Sequence, residues 1–358
     1  MRIGLVKETK PAERRVALTE AGVATLVRDG HEVLVETGAG AGAGIDDVAY
    51  ELAGANLVDT TEAWATDLVV KVKEPIAPEY GHLDERTTLF TYLHLAADRA
   101  LTEALLDARV TAIAYETVED ARGGLPLLTP MSEIAGRLAA HAAGHYLMHP
   151  HGGPGLLLGG SPGVAPAKVV ILGGGVVGTQ AATLAVGMRA DVTILDVSPR
   201  RVRELEDQFG NNARVLQSDP ATLLAQISTA DVVIGAVLVP GAAAPKLVSR
   251  EDLARLKPNA LLIDVAIDQG GCFETSRPTT YDEPTYRVDG ITHYCVANMP
   301  GAVPHTSTRA LTNATLPYVR RLANLGLEAA LGADAGLARG LNTRDGALTH
   351  NAVAAAFS

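Results

Sequence analysis

The chain has 358 residues and a formal net charge of −11 at pH 7, with 47% hydrophobic and only 4% aromatic residues. This length exceeds what one hydrophobic core usually fills, so two domains are expected. The acidic balance argues against nucleic acid as a partner, because a phosphate backbone requires a basic surface.

The cysteine content and the N-terminus both indicate a reducing compartment. Cys272 and Cys295 are the only 2 cysteines, too few for a disulfide framework or a cysteine-based zinc site, and we interpret both as buried thiols. The segment Met1 to Glu8 becomes charged too early for a signal peptide, and no apolar run approaches the roughly 20 residues of a membrane helix. A cytoplasmic protein with no membrane partner is therefore expected.

In the first third of the chain, apolar runs alternate with helical patterns. Helices are predicted at Glu20 to Arg28 and at Thr102 to Ala108. The predicted strands lie near 2–6, 32–36, 68–73, 88–92 and 110–114. This alternation predicts a parallel sheet.

A cluster of alternating glycines, Gly38 to Gly44, follows the second of these strands and fits the permissive dinucleotide pattern G-x-G-x-x-A. Asp46 and Asp47 open the next helix, where their charges would repel a diphosphate. We therefore interpret this cluster as a flexible surface loop.

Strands and helices alternate again in the second half of the chain. A long periodic segment, Ser132 to Leu147, is predicted to cross between domains, and helix starts are predicted at Ser198 with Pro199 and at Ser249 with Asp252. Strands are expected near 169–172, 192–195, 214–217, 231–235, 260–265 and 292–296. These strands suffice for two mononucleotide-binding halves.

The predicted fold is α/β, with two Rossmann-like doubly wound parallel-sheet domains and an interdomain cleft. The helical stretch after Ser307 has no predicted strands near it and most simply returns to the first domain. The dinucleotide-binding domain, 127–303, is then an insertion in a discontinuous substrate domain made of 1–126 and 304–358.

The strand near 169–172 leads into a glycine-rich loop that is typical of a dinucleotide site. The loop, Gly173-Gly174-Gly175-Val176-Val177-Gly178, has the G-x-G-x-x-G spacing. Gly173 allows a tight turn, Gly175 lets the backbone approach a pyrophosphate, and Gly178 lets the next helix pack on the strand. The helix N-terminus suits the phosphates. Asp196, after the next strand, can accept hydrogen bonds from both ribose hydroxyls, which favours NAD over NADP.

Polar residues that follow other strands indicate an amino-acid or keto-acid site. Arg15 can bind a carboxylate in bidentate fashion, Lys73 can polarise a carbonyl or bind the same carboxylate, and His94 or Asp268 can move protons. Three of them have structural alternatives: Arg15 can be a solvated charge, Lys73 can snorkel at a strand end, and His94 can be a hydrogen-bonded structural histidine. Asp264, inside its strand, is interpreted as structural.

Several motifs, in order from residue 1 to about 320, resemble bacterial L-alanine dehydrogenases, within the alanine dehydrogenase and transhydrogenase α-subunit family. The motifs are Glu8–Lys10, Glu13–Thr19, Lys71–Pro75, Tyr92–Ala96, Met131–Arg137, Gly235–Gly241, Asp264–Gly271 and Cys295–Pro300. The resemblance implies a homohexamer that uses NAD to deaminate L-alanine oxidatively to pyruvate and ammonia.

The resemblance also implies roles for single residues. It implies substrate binding by Arg15 and Lys73 and acid/base catalysis by His94 and Asp268. It further implies that the cofactor is lined by Ser132, Asp196, Arg201, Ser218, Val237, Leu238, Val265, Ala266, Ile267, Asp268, Val296, Ala297, Asn298 and Met299. Two departures are Glu20, where the family commonly has proline, and the end of the chain soon after Phe357.

His94 and Asp268 both remain candidates for the proton-transfer steps. The amine must be neutral before hydride leaves the alanine Cα, so an imidazole, which titrates near neutrality, is a better base than an unperturbed aspartate. His94 is then the better candidate for the base, and Asp268 could orient it or handle the water that attacks the imine, but the sequence does not separate these roles.

Other functions fit parts of the pattern. One is the NAD-binding subunit of a proton-translocating NAD(P) transhydrogenase, which needs a membrane partner. Another is a non-catalytic NAD-responsive regulator, which would not need Lys73 and His94 together. Lysine-forming saccharopine dehydrogenase is a more distant relative.

Overall fold

The computed structural model describes residues 1–237 and 244–357. These residues form two compact units, one made of Met1–Met131 and the chain from Gly301 onward, the other of Ser132–Pro300. Each unit contains one parallel-dominated sheet flanked by helices, which confirms the predicted α/β class.

The first segment of the chain contributes six strands to an 8-stranded sheet. They are β1 (Arg2–Leu5), β2 (Glu32–Glu36), β3 (Asn56–Val58), β4 (Leu68–Val70), β5 (Thr88–Thr91) and β6 (Thr111–Ala114). Their order is β3-β2-β1-β4-β5-β6 and every neighbouring pair is parallel, which is the doubly wound arrangement. Because the order reverses between β1 and β4, a ligand is expected beyond the carboxyl ends of these two strands.

Helices connect these strands, and each begins after an oxygen-bearing side chain. They are α1 (Glu20–Arg28), α2 (Asp47–Leu52), α3 (Thr60–Trp64) and α4 (Arg99–Asp107). Thr19, Asp46, Asp59 and Asp98 each accept a hydrogen bond from a backbone N–H in the first turn of the helix that follows. Such caps satisfy N–H groups that have no partner within a helix.

The glycine cluster at 38–44 is closely packed, which differs from the flexible surface loop predicted for it. A Cβ on Gly40 would lie 2.6 Å from the Ile45 carbonyl oxygen, and one on Gly42 would lie 2.7 Å from the Arg14 carbonyl oxygen. Asp47 accepts a hydrogen bond of 2.8 Å from the Gly38 N–H. The glycines therefore serve close packing in this unit.

The second unit contains a 7-stranded sheet, which α5 (Thr129–Tyr146) precedes. Its strands are β7 (Lys168–Leu172), β8 (Asp191–Asp196), β9 (Arg214–Gln217), β10 (Val232–Gly235), β11 (Leu261–Asp264), β12 (Thr285–Val288) and β13 (Ile291–Tyr294). Parallel strands lie in the order β9-β8-β7-β10-β11-β13, and β12 is an antiparallel edge strand. The order is again doubly wound, and it reverses between β7 and β10.

The helices of the second unit are α6 (Val176–Gly187), α7 (Pro199–Phe209) and α8 (Pro220–Ile227). The predicted start at Ser198 is confirmed, because the Ser198 hydroxyl accepts a hydrogen bond from the Arg201 N–H. Ser249 and Asp252 exchange hydrogen bonds as predicted, but the helix that begins here is a short 3₁₀ helix, Glu251–Arg255, which contains Asp252.

Both cysteines lie in the second unit, and both are buried free thiols, as predicted. Burial raises the pKa of the Cys272 thiol to about 12. Burial also raises the pKa of the Cys295 thiol.

The C-terminal segment completes the first unit. It contains α9 (Pro304–Leu325), α10 (Leu327–Ala333), α11 (Ala335–Arg339), β14 (Leu341–Arg344), β15 (Ala347–Leu348) and α12 (Asn351–Ala355). β14 pairs with β6 and β15 with β14, both antiparallel. On α9, the hydroxyls of Thr308 and Thr312 accept hydrogen bonds from the N–H groups of Val16 and Thr19.

Short 3₁₀ segments also lie at Ala41–Ala43, Ala77–His82, Leu95–Ala97, Tyr115–Thr117, His149–His151, Gly210–Asn212, Ile267–Gln269 and Met299–Ala302. Within residues 1–237 and 244–357, no helix is both long and apolar enough to cross a bilayer.

Candidate active site

The glycine-rich loop joins β7 to α6 at the point where the strand order of the second sheet reverses. Gly173 has φ 95°, a backbone conformation that favours glycine. A Cβ on Gly178 would lie 1.8 Å from the Gly173 carbonyl oxygen, so close packing requires glycine there as well. A Cβ on Gly175 would meet no atom within 4 Å. Open space therefore lies beside the N-terminus of α6, where its N–H groups suit an anion.

Asp196 ends β8 and is tied to the same loop. One carboxylate oxygen accepts a hydrogen bond of 2.8 Å from the Gly174 N–H, and the other accepts one of 2.8 Å from the Ser198 N–H. A carboxylate accepts about four hydrogen bonds, so this one retains capacity for two ribose hydroxyls.

Arg201 is a structural support of this loop. Its Nε donates to the Gly174 carbonyl oxygen at 2.7 Å, and one terminal nitrogen donates to the Thr179 hydroxyl at 2.7 Å. Its other terminal nitrogen donates to Glu204 at 2.8 Å, and the same carboxylate accepts a hydrogen bond of 2.8 Å from Arg200. Glu204 therefore engages both of the basic groups that follow Asp196.

Most other residues expected along the cofactor follow strands of the second sheet at its carboxyl edge. Ser218 follows β9, Val237 follows β10, the segment 265–268 follows β11, and 296–299 follows β13. Ser132 lies in the first turns of α5, and Leu238 lies outside the described residues. Three of these residues, Ile267, Val296 and Met299, have side chains that are buried in the unit. Only their backbone groups can therefore face a ligand.

Asp264 and Asp268 differ sharply in surroundings. Asp264 is fully buried, accepts hydrogen bonds from the N–H groups of Cys272 and Phe273 and from the Ser276 hydroxyl, and has a pKa that burial raises. Its contacts hold the loop after β11 together. Asp268 is exposed in the 3₁₀ turn of that loop, so it is the accessible carboxylate of the pair.

In the first unit, Arg15 is a buried and oriented cation, with 2% of its surface exposed. Its Nε and one terminal nitrogen donate to the two oxygens of Glu13 at 2.7 and 2.6 Å, and its other terminal nitrogen lies 3.1 Å from the Met131 sulfur. Burial lowers the pKa of the Arg15 guanidinium, but the contacts with Glu13 outweigh burial and leave it above its ordinary value. Arg15 is therefore not the solvated charge that composition alone allowed.

Lys73 follows β4, and Glu8 fixes the backbone at this point. The Glu8 carboxylate accepts hydrogen bonds from the N–H groups of Val72 at 2.7 Å and of Lys73 at 3.3 Å. Lys71, which is fully buried, lies 3.4 Å from Glu8 and 2.9 Å from Glu79. The two lysines of this motif thus have different environments, because Lys73 is only half-buried.

His94 follows β5 in a left-handed backbone conformation, with φ 52°. Its N–H donates to Glu116 at 2.6 Å, and the N–H of Leu93 donates to the same carboxylate at 3.2 Å. A left-handed backbone costs a residue other than glycine about 1–3 kcal/mol. The hydrogen bonds that Glu116 accepts therefore stabilise an unusual local structure. The imidazole is 45% exposed, so a ligand or solvent can reach it.

The structure therefore brings three predicted residues to one edge of the first sheet. Arg15, Lys73 and His94 follow β1, β4 and β5, which are neighbours at the reversal of strand order. Four carboxylates that sequence reasoning missed hold this edge: Glu8, Glu13, Glu74 and Glu116. Of these, Glu13 and Glu74 carry a local signal, since Glu13 lies two residues before Arg15 and Glu74 directly follows Lys73. Among the described residues, no group of three or more His, Cys, Asp or Glu is arranged to hold a metal ion.

The strand orders and the glycine-rich loop define a two-domain α/β protein built on Rossmann-type sheets. Comparison with known proteins identifies the family within this class. Residues 4–135 match the N-terminal domain model and residues 139–351 the C-terminal domain model of alanine dehydrogenase/PNT, so the chain belongs to the alanine dehydrogenase/PNT family.

Relatives of similar length support this membership. Alanine dehydrogenase of Mycobacterium tuberculosis is 56% identical over 99% of this chain and 96% of its own length, and that of Bacillus subtilis is 53% identical over 99% and 94%. A solved structure of L-alanine dehydrogenase has a TM-score of 0.97 at 52% identity, covering 100% of this chain and 99% of its own. A transhydrogenase structure from Sinorhizobium meliloti has a TM-score of 0.83 at 25% identity, covering 98% and 100%.

Proposed function

We propose that this chain is an NAD-dependent L-alanine dehydrogenase that interconverts L-alanine with pyruvate and ammonia. The observation that carries the proposal is identity of 53–56% with alanine dehydrogenases over nearly the whole chain. The transhydrogenase structure is only 25% identical, which makes hydride exchange between two nicotinamides the weaker alternative.

The residues of the second unit fit a dinucleotide. The open space beside Gly175 and the N-terminus of α6 would receive the pyrophosphate, and Asp196 would accept hydrogen bonds from the adenosine ribose. Because Glu204 engages both Arg200 and Arg201, these cations are poor partners for a 2′-phosphate, which supports NAD over NADP. When bound, the nicotinamide ring accepts the hydride from the alanine Cα.

The residues of the first unit fit a small amino acid. Arg15 would bind the substrate carboxylate, and Glu13 fixes the plane of its guanidinium before the substrate arrives. Lys73 would bind the same carboxylate or polarise the carbonyl of pyruvate. A guanidinium oriented in advance loses little side-chain freedom on binding.

Proton transfer is assigned to His94, with Asp268 as the second candidate. His94 would accept the proton from the substrate ammonium group, since the amine must be neutral before hydride leaves Cα. Asp268, exposed in its loop, would handle the water that adds to the imine.

We also propose, from the family resemblance, a cytoplasmic homohexamer. Large apolar side chains on the surface of this chain, such as Leu157 at 67% exposed and Val164 at 65%, are consistent with an assembly. Light scattering coupled to size exclusion measures the subunit number directly.

The deciding experiment is incubation of the protein with NAD and L-alanine while NADH absorbance is followed. NADH formation with L-alanine and none with D-alanine or L-glutamate is expected. A protein that binds NADH but reduces no NAD with any amino acid would be a regulator, and hydride exchange between NADPH and an NAD analogue would favour the transhydrogenase alternative.

A further inference from the structure

A buried carboxylate oxygen lies beside the candidate base. Glu74 follows β4, and its side chain is 12% exposed. One of its oxygens, Oε1, binds the Lys10 ammonium group. The other, Oε2, is buried and has no hydrogen-bond partner among the residues that the structure describes. This oxygen lies 4.0 Å from Nδ1 of His94.

A buried carboxylate oxygen without a donor is unfavourable, so its position needs an explanation. The groups that face the His94 ring and its backbone are Glu74, the Tyr92 ring at 5.9 Å and the Glu116 carboxylate, which binds the His94 N–H. Lys10 and Lys73 carry the charges next to Glu74. The ring of His94 can offer this oxygen an N–H donor, because Nδ1 carries a proton in one neutral tautomer and in the protonated form.

Glu74 carries a negative charge at neutral pH. Burial raises the pKa of Glu74, but the charges of Lys73 and Lys10 outweigh burial and leave this pKa below its ordinary value. The carboxylate is therefore present as a fixed negative charge throughout the neutral range.

We propose that Glu74 is a positioning residue for His94, whose Nδ1–H donates a hydrogen bond to the Glu74 carboxylate, and that this bond strengthens when the imidazole takes up a proton at Nε2. This inference rests on the proposed function, since it assigns a partner to the candidate base. The proton from the substrate ammonium group moves to His94 Nε2, the Nδ1 proton stays on the ring, and the carboxylate takes up no proton. The approach needed is about 1 Å, from 4.0 Å to the 2.7–2.9 Å of a charge-assisted hydrogen bond.

Two carboxylates would then divide the positioning of one histidine. Glu116 binds the backbone N–H of His94 and stabilises its left-handed conformation. Glu74 would set the orientation of the ring and the tautomer, which leaves Nε2 directed to the substrate. The sequence separates these three residues by 20 and 22 positions, so spacing gives no sign of the arrangement.

The test is Glu74→Gln, which removes the charge and nearly preserves the shape. Because a negative neighbour favours the imidazolium, its loss is expected to move the acidic limb of the kcat/KM profile to lower pH, by about one pH unit. We expect kcat for L-alanine to fall about tenfold or more, with little change in KM and in NADH binding by fluorescence titration. Glu85→Gln, an exposed carboxylate that precedes β5 and pairs with Arg109, is the matched control and should leave the profile unchanged.

The outcomes are separable. A wild-type protein that is inactive with L-alanine contradicts the proposed function, whatever the variant does. An active wild type with a Glu74→Gln profile in the same position overturns the inference, even if activity falls uniformly, because a purely structural role lowers activity at every pH alike.

If Glu74→Gln does not fold by circular dichroism, Glu74→Asp retains the charge at a greater distance. Its acidic limb should move in the same direction by less than one unit, and an unmoved limb overturns the inference.

Discussion

Replacement of Lys71 by methionine tests the electrostatics beneath the candidate substrate site. The Lys71 side chain is 0% exposed, and the two carboxylates beside it, Glu8 and Glu79, are 2% and 7% exposed. Methionine has a similar length but carries no charge. The substitution therefore leaves two buried carboxylates without their cation, directly next to the strand end that carries Lys73.

The expected magnitude follows from these contacts. Removal of one partner from a buried ion pair costs about 3–5 kcal/mol. Glu8 retains a hydrogen bond of 2.7 Å from the Val72 N–H, and Glu79 retains one of 2.9 Å from the Ile76 N–H. These bonds keep the loss within that range, so we expect about 4 kcal/mol at pH 7. For a unit of this size, that lowers Tm by about 8–16 °C.

The pH dependence identifies the cause. Burial already raises the pKa of Glu8 with Lys71 present, and loss of the lysine raises it further. A carboxyl whose folded-state pKa exceeds its unfolded value of about 4.3 weakens the fold above that value, and the penalty disappears as the group becomes protonated. The stability deficit of Lys71→Met should therefore shrink when the pH is lowered from 7 to 5.

Thermal melts followed by circular dichroism at pH 7 and pH 5 measure both effects. The triple variant Lys71→Met, Glu8→Gln, Glu79→Gln is the control, since it removes all three charges and should recover much of the lost stability. A loss below about 1 kcal/mol at pH 7, or a deficit that grows at pH 5, would refute the reasoning.

Three further predictions concern the two candidate sites. His94→Ala should lower kcat by about 10²–10⁴-fold with NADH binding retained, and unchanged turnover would make the histidine structural. Asp196→Ala should reduce the ratio of kcat/KM for NAD to that for NADP by about tenfold, because unit charges about 4 Å apart repel by ~1 kcal/mol or more; a ratio near one in the wild type contradicts this. Gly178→Ala should abolish NADH binding in calorimetry, since its Cβ would lie 1.8 Å from the Gly173 carbonyl oxygen, whereas Gly187→Ala meets no atom within 4 Å and should bind normally.

Hydrophobic periodicity located the central elements of both sheets. The helix predicted at Glu20 to Arg28 has these bounds in the structure, and the strands predicted near 169–172 and 192–195 are β7 and β8. Central parallel strands are buried on both faces and therefore give long apolar runs.

The strands that sequence reasoning missed lie at sheet edges or, for β14, next to one. β3, β12, β14 and β15 are only 2–4 residues long and are mostly half-exposed or exposed, except for two buried residues of β14. Such strands lack a long apolar run, and their pairing depends on neighbours far along the chain.

The candidate site was predictable only in part, for a related reason. Because parallel strands end at one edge, Arg15, Lys73 and His94 could be placed near each other from strand positions alone. The partners that lie far along the chain could not, since Glu8 contacts the N–H of Lys73 across 65 positions and Glu116 contacts that of His94 across 22. The sequence also does not distinguish the buried lysine of the motif, Lys71, from the half-buried one.

The order in which the chain is made has a consequence for its biogenesis. The unit at 132–300 is continuous, so a ribosome can release all of it before α9 exists. The backbone N–H groups of Val16 and Thr19, just after Arg15, donate hydrogen bonds to the hydroxyls of Thr308 and Thr312 on α9. The first 131 residues therefore keep an exposed surface until the C-terminal segment has been synthesised. Chaperones are expected to bind the nascent chain at this surface.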